Sequence, residues 1–489
     1  MISRIVSAFR AAGGAGEPNP RVRAEDNRVS PETIRRLRDA ESFYRSLGPW
    51  LLVREEDAVL IAPPNRVYKL GGSALDLMRW LDAGASIRDL PGLDEKRAAE
   101  LLRFFEELRA VSEGRARAGE GFARVAYSFD FTRLPVLGEA ALTYRCNERC
   151  RFCYASCGTV AAASAAACRA GSRSSASRSV EQSAAGPAAA GELPTEAWKR
   201  IIRSFKEEAK IPFFSFTGGE PLLRDDLEEL ARHARALGLR TNLITNGSLA
   251  TPARAAALKA AGIDTAQVSL ESPVPEIHDA LCGVAGAWQR TTDGIRALLA
   301  AGILVQTNST LTTANRESLL GLPAFLSSLG VARFSLNLFI PAGRGLGADD
   351  LFVRYSEAGD VVDAVRRAAR SAGLTFFWYS PTPYCLYNPV ARGLGNKSCA
   401  AMDGLVHVNP RGEVLPCSSW PESLGSLLGR RFADIWFSER AAYFKNKRFA
   451  PAACAGCESF VACQGACPLY WQYAGEGEIA RMTETKGKG

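Results

Sequence analysis

Three thiols, Cys146, Cys150 and Cys153, stand in a C-x3-C-x2-C run just after the apolar stretch Ala140 to Tyr144. Thiolate is the ligand that iron–sulfur clusters take, and three thiolates hold three irons of a cubane while the fourth iron stays open to a small chelating molecule. A structural zinc ion asks instead for a closed tetrahedron, and Cys157 is near enough in sequence to supply its fourth corner. The triplet taken alone admits both metals.

A second stretch tips the balance. Phe213-Phe-Ser-Phe-Thr217 reads as a short strand, and Gly218-Gly219-Glu220-Pro221 follows it. Two glycines let a backbone come close to a ligand. Pro221 stiffens the turn before a helix-like run from Asp225 to Leu237. A cysteine loop of this spacing, with G-G-E-P at the next strand end, resembles the radical S-adenosylmethionine (SAM) superfamily. The resemblance implies a 4Fe–4S cluster on Cys146, Cys150 and Cys153, its open iron chelated by the amino and carboxylate groups of SAM's methionine part. It implies that Phe152 lies near adenine and that Gly218, Gly219, Glu220 and Pro221 contact the methionine amino group. Asn246 and Ser269 would face the ribose and methionine. The implied chemistry is one-electron cleavage of SAM to a 5′-deoxyadenosyl radical, which removes hydrogen from an unactivated carbon.

The elements that must position these groups alternate. Strands are expected at Arg240–Thr245, Thr265–Leu270, Ile303–Thr310 and Arg333–Phe339, with helices at Glu196–Lys210, Pro252–Ala260, Trp288–Ala301 and Glu317–Leu329. Such alternation implies parallel βαβ units. With Phe213–Thr217 and the stretch before Cys146 the strands number six, so the fold class is α/β, a partial (β/α)6 barrel of the kind this superfamily uses. Ligands of such barrels sit at the C-terminal strand ends. The cysteine loop, Gly218 to Pro221, Asn246, Ser269 with Glu271, Asn308 and Arg344 all fall there. Pro341-Ala-Gly-Arg344-Gly345 resembles a P-T-G-R-G stretch of peptide-modifying members, which makes Arg344 a candidate for the SAM carboxylate, for substrate, or for a surface role. His278-Asp279 with Gly283 matches an H-D-x-x-x-G stretch, read as structural.

Before the barrel, residues 31–115 read as a helix opened by Ser30 and Pro31, three strands ending at Arg66–Leu70, and two more helices. The strand pair ending at Lys69-Leu70, then Gly71 and the helix Ala74 to Trp80, resemble the winged-helix-like recognition element of ribosomal peptide-modifying systems. The peptide chaperone of pyrroloquinoline quinone biosynthesis belongs to that group. The resemblance implies that a leader peptide adds as a strand to an exposed sheet edge. Residues 113–137 read as a linker. Inside the barrel domain, 138–380, an Ala/Ser/Arg/Gly insert at 158–191 buries little and reads as a disordered or loose surface loop. Cys157 and Cys168 flank or sit in it, and are read as incidental thiols.

The region 381–489 holds Cys399, then Cys417, then Cys454-x2-Cys457-x5-Cys463-x3-Cys467. A zinc ribbon also uses C-x2-C pairs, but this order of cysteines resembles the SPASM extension of radical SAM peptide maturases. That resemblance implies two auxiliary iron–sulfur clusters, Cys399, Cys417 and Cys467 going to one and Cys454, Cys457 and Cys463 to the other. No cysteine follows Cys467, where the family usually has one. The second cluster is then expected to have an open iron or a non-cysteine ligand from the tail, with Cys385 a candidate to complete the first.

At 489 residues the chain is long enough for about three domains. No run has the length of a membrane span, and Met1 to Ala12 lacks the apolar centre of a signal peptide. Thirteen cysteines fit metal binding in the cytoplasm better than disulfides. Three histidines leave little for a His-rich zinc enzyme, and the net charge of +8 carries no basic stripe interleaved with aromatics, so no nucleic-acid partner is expected. The expected function is modification of a ribosomally made precursor peptide through a thioether or carbon–carbon bond. The cluster's electron would come from an external donor such as flavodoxin or ferredoxin. The alternatives are a SPASM enzyme acting on a small molecule such as a tetrapyrrole side chain, or one activating another enzyme. A binding module without chemistry is opposed by the intact triplet and G-G-E-P.

Overall fold

A computed structural model of the chain describes residues 29–47, 51–62, 66–112, 131–157 and 192–479. Residues 1–28, 48–50 and 63–65, most of the expected linker, the insert at 158–191 with Cys168, and residues from 480 on lie outside the described residues. Two compact units divide between Val136 and Leu137.

In the first unit, helix α1 (Pro31–Leu47) starts where Ser30 Oγ accepts the Thr33 N–H at 3.2 Å. The Glu95 carboxylate accepts the Ser30 N–H, so the opening of α1 is tied to the start of a later helix. Strands β1 (Leu52–Arg54), β2 (Val59–Ala62) and β3 (Arg66–Lys69) form an antiparallel sheet in that order. Helices α2 (Gly72–Asp82) and α3 (Glu95–Ser112) complete the unit. Leu37, Tyr44, Leu60, Met78, Leu81 and Phe105 meet in one apolar core. A fully buried ion pair lies beside it: Arg54 Nη2 is 2.7 Å from Asp57 Oδ2, and the same guanidinium donates to the carbonyls of Leu134 and Pro135.

The second unit is built on a ten-stranded sheet. Its strands and helices run β4 (Leu137–Ala141), α4 (Thr195–Glu207), β5 (Phe213–Thr217), α5 (Leu227–Ala236), β6 (Arg240–Thr245), α6 (Pro252–Ala261), β7 (Ile263–Ser269), α7 (Pro275–Cys282) and α8 (Ala287–Ala300). They continue β8 (Leu304–Leu311), α9 (Leu322–Ser328), β9 (Arg333–Leu338), α10 (Tyr355–Ser371), β10 (Thr375–Trp378), β11 (Leu405–Val408), β12 (Glu413–Leu415) and β13 (Gly425–Ser426). Strands β4 to β10 are parallel and lie in chain order, the signature of an open barrel wound by right-handed crossovers. Helix α4 shows why: Trp198, Ile201, Ile202 and Phe205 fall on one face and are all buried. Burying each of the Ile and Phe side chains contributes about 1.5–3 kcal/mol. Phe205 meets Phe214 of β5 edge-on at 5.6 Å between ring centres.

The α/β partial barrel expected from the sequence is present, with two differences. A further parallel strand, β10, and the helix before it, α10, follow the sixth. Pro323, in the first turn of α9, divides the expected helix Glu317–Leu329 into a 3₁₀ turn at Ser318–Gly321 and the shorter α9. At the other edge, β11 pairs in parallel with β4, from Leu405↔Leu137 to Val408↔Ala140, and a hairpin through β12 and β13 extends the sheet. His407 Nδ1 and Glu139 Oε2, 2.9 Å apart, join the two strands by side chains as well.

Candidate active site and auxiliary metal loops

The cysteine loop begins where β4 ends. Gly219 N donates to Thr143 O at 2.7 Å and Glu220 N to Arg145 O at 2.8 Å, so the G-G-E-P turn lies along the run into Cys146. A Cβ on Gly218 would stand 2.2 Å from Thr143 O, and one on Gly219 2.2 Å from Arg145 O. The close approach these glycines permit is therefore to the cluster loop's own backbone, where the sequence suggested a ligand. The Glu220 carboxylate is fully buried and accepts from Leu222 N, Thr245 Oγ1 and Asn246 N, tying the end of β5 to the end of β6. Burial raises its pKa to about 7 against those hydrogen bonds. Pro221 is buried in the turn that follows.

Asn246 Nδ2 donates to Asn147 Oδ1 at 2.9 Å and lies 4.0 Å from Cys146 Sγ, so β6 reaches the first cysteine directly. Ser269 ends β7 half-buried. Glu271, two residues on and 2% exposed, accepts the Thr310 N–H at 2.6 Å, and burial raises its pKa to about 8. Asn308 accepts from Ser335 Oγ at 2.8 Å. Phe152 packs against Leu281, Phe339 and Leu351.

Arg344 closes the loop from behind. Its N–H donates to Cys153 O at 3.0 Å, and its guanidinium donates to Cys150 O at 3.1 Å and to Cys157 O at 2.5 Å. Gly343 has φ +54, and a Cβ there would lie 2.1 Å from Tyr154 O. The P-A-G-R-G stretch is thus a strap on the cysteine loop, and the groups Arg344 touches are carbonyls of that loop. Cys157 N donates to Cys153 Sγ at 3.3 Å. With the Cys157 thiol bonded to it as well, Cys153 is lowered to about 6.

Three functional neighbours escaped sequence reasoning. Glu148, 3% exposed, sits between Cys146 and Cys150 with Oε1 unpartnered. Cys282, at the end of α7, joins Glu148 and Cys150 within 4.8 Å. Glu192, just past the insert, hydrogen-bonds Thr143 Oγ1 and pairs with Arg145 at 3.3 Å. Cysteine spacing is a local signal, whereas each of these meets the loop through the fold or as an isolated carboxylate.

The C-terminal cysteines fall into two groups. Cys417 and Cys467 are pushed up by burial and by Cys399, which places these three thiols together. Tyr355 Oη, at a fully buried residue beside Cys467 and Cys399, meets no hydrogen-bond partner. Buried Lys447 donates to Cys399 O at 2.6 Å, a cation among thiols. In the other group, burial and then Cys463, Cys385 and Cys457 push Cys454 up to about 11, and Tyr384 N donates to Cys463 Sγ at 3.3 Å. Cys385 therefore sits with Cys454, Cys457 and Cys463, where the sequence suggested the Cys399 group, because its loop after β10 packs on Cys463.

Two family models match. One, described as the radical SAM superfamily, covers residues 141–320; the other, described as an iron–sulfur cluster-binding domain, SPASM, covers residues 399–458. A PqqA peptide cyclase of Xanthomonas axonopodis pv. citri is 30% identical over 275 residues, covering 54% of this chain and 72% of that protein. The chain belongs to the radical SAM superfamily. An AdoMet-dependent heme synthase of Oleidesulfovibrio alaskensis is 29% identical over 290 residues, 56% of this chain and 74% of that protein. Among solved structures, Streptococcus suis SuiB bound to precursor peptide SuiA has TM-score 0.58 at 16% identity, covering 86% of this chain and 94% of that one, a likeness of fold.

As a radical SAM enzyme with a SPASM extension, the chain takes a 4Fe–4S cluster with SAM and auxiliary iron–sulfur clusters. The residues present fit such groups better than single zinc ions. A tetrahedral ion at 2.3 Å from each sulfur brings the sulfurs within about 3.8 Å of one another. Among the described residues the only three donor atoms within 4.8 Å of each other are those of Glu148, Cys150 and Cys282. Beside the cysteine loop, the Glu148 Oε1 atom is buried with no hydrogen-bond partner, a polar atom left for a group bound there. No described helix is long and apolar enough to cross a membrane.

Proposed function

We propose that this radical SAM enzyme modifies a ribosomally synthesised precursor peptide, closing a thioether or carbon–carbon cross-link. The observation that carries the reading is the first unit: a three-stranded antiparallel sheet whose outer strands, β1 and β3, each pair on one side alone among the described residues. An extended leader added to such an edge gains backbone hydrogen bonds, and side-chain pockets give register. Holding the leader raises the effective concentration of the core peptide at the barrel mouth. The peptide cyclase relative supports this, as does the SuiB likeness, which spans more of the chain than the second unit holds.

In this reading residues 31–115 recognise the leader, 138–380 form the radical SAM core and 381–489 the auxiliary-cluster domain. Cys146, Cys150 and Cys153 hold the SAM-binding cluster. Cys399, Cys417 and Cys467 hold one auxiliary cluster, and Cys385, Cys454, Cys457 and Cys463 the other. When bound, cluster and SAM supply a reducing electron and a 5′-deoxyadenosyl radical that takes a hydrogen atom from substrate. The chain's own part is placement. Glu220 fixes the ends of β5 and β6 and Asn246 orients Asn147. Arg344 and the glycines beside it keep the cysteine loop in one conformation. Phe152, Gly218 to Pro221, Asn246 and Ser269 surround the space for SAM, and a small one-electron protein, a flavodoxin or ferredoxin, delivers the electron.

The test is incubation of the anaerobically reconstituted full chain with SAM, dithionite and the peptide encoded by the neighbouring short reading frame. The expected product has lost two hydrogens per cross-link. The heme synthase relatives favour a second reading, a tetrapyrrole side chain as substrate. Turnover of a tetrapyrrole with an unchanged peptide would replace the first reading by the second.

A further inference from the structure

A hydrogen-bonded chain buried beside the cluster loop ends on Cys282, whose sulfur lies within 4.8 Å of Cys150 Sγ. Glu271 donates its backbone N–H to His278 Nδ1 at 3.1 Å. A ring nitrogen that accepts a hydrogen bond carries no proton, so in the neutral ring the proton is on Nε2. Burial keeps this ring neutral, its pKa lowered to about 4. Nε2 lies 3.5 Å from Cys282 Sγ, and so donates to it. Cys282 Sγ then has its own S–H to give, with Cys150 Sγ and a Glu148 carboxylate oxygen within 4.8 Å. His278 is fully buried and Cys282 is 2% exposed, so water does not compete for these donors.

The backbone fixes this approach. Arg149 N donates to Cys282 O at 3.0 Å and Arg151 N to Leu281 O at 2.9 Å, pinning the cysteine loop to the last turn of α7. Gly283, with φ +69, lets the two chains close: a Cβ there would stand 2.7 Å from Arg149 O. Cys146, Cys150 and Cys153 already serve three corners of a cubane, and the fourth belongs to SAM. A fourth thiolate at that corner would shut SAM out, so a neighbouring thiol is useful only while it keeps its proton.

We propose that Cys282, oriented by His278, is a positioning residue whose S–H donates to the Cys150 thiolate and thereby sets the reduction potential of the SAM-binding cluster. A hydrogen bond to a ligating sulfur withdraws electron density from the cluster and raises its potential. The inference rests on Cys150 being a ligand of that cluster. It gives Cys282 and the H-D-x-x-x-G stretch a role in electron acceptance as well as in shape.

The experiment is a potentiometric titration of the anaerobic full chain followed by electron paramagnetic resonance, the relevant cluster identified by the change of its signal on adding SAM. Cys282→Ala is expected to shift the midpoint to more negative potential, so that the ratio of reduced to oxidised cluster at a fixed solution potential falls severalfold. Cys282→Ser, which keeps a donor, returns it toward the unsubstituted value, and His278→Leu shifts it in the same direction as Cys282→Ala. An unchanged midpoint in Cys282→Ala overturns the proposal. So does loss of the SAM-responsive signal in both Cys282 variants, which would make Cys282 an iron ligand. Persistence of that signal in Cys150→Ala would instead bring down the ligand assignment beneath it.

Discussion

Arg344 Nη1 donates to the carbonyl oxygen of Cys150 at 3.1 Å, across 194 residues of chain. One guanidinium thus gathers carbonyls at both ends of the short loop from Cys150 to Cys157. Lysine presents a single ammonium and cannot span them. Arg344→Lys is expected to cost the loop about 2–3 kcal/mol, the scale of one lost charge-assisted hydrogen bond. The readout is iron retained per chain after gel filtration without oxygen, together with 5′-deoxyadenosine formed. Full iron with lost SAM cleavage would place Arg344 on SAM instead of on the loop.

Cys385 is expected to matter for metal although it stands outside the clustered C-terminal motif. Three full cubanes give about 12 irons per chain. Cys385→Ser should lower this toward about 8 while the SAM-responsive signal persists. Iron unchanged in the variant would remove Cys385 from the ligand set.

The Arg54–Asp57 pair is fully buried and serves the first unit alone. Removing one partner of such a pair leaves an uncompensated charge, at a cost of about 3–5 kcal/mol. Asp57→Ala is therefore expected to lower the denaturant midpoint of the unit, and Arg54→Met with Asp57→Leu to recover part of the loss. A single variant with unchanged denaturant midpoint would contradict this.

His278 gives a pH dependence with a definite sign. Its folded pKa, about 4, lies below the ordinary value of 6.5, so the folded state resists its protonation. The stability it contributes is whole above pH 6.5 and is lost as pH falls toward 4, by at most about 3 kcal/mol. Denaturant midpoints of the iron-free chain across that window should fall less steeply for His278→Gln. Equal slopes would exclude His278 as the source.

Local signals carried far in this chain. The cysteine triplet, G-G-E-P and the alternation of strands and helices each declare themselves within a few residues. Helix α6 opens at Pro252 as expected, with Thr251 Oγ1 accepting the Arg254 N–H at 3.2 Å. Helix α10 gave a fainter signal because its buried face mixes Ala358 and Ala369 with Val362 and Val365 among arginines. Strand β10 is only Thr-Phe-Phe-Trp, too short to show a period. The partners of Cys282, Lys447 and Cys385 were beyond reach for another reason, although Cys385 itself was a candidate ligand from the sequence. Each residue acquires its neighbours from a distant segment, and nothing in the flanking residues announces which one.

The pairing of β11 with β4 has a consequence for how such a protein can be shortened. Without the last hundred or so residues, the strand that feeds the cysteine loop would become a raw seam, open to any passing strand. A shortened chain of that kind is expected to pair through the bared edge of β4 and to self-associate.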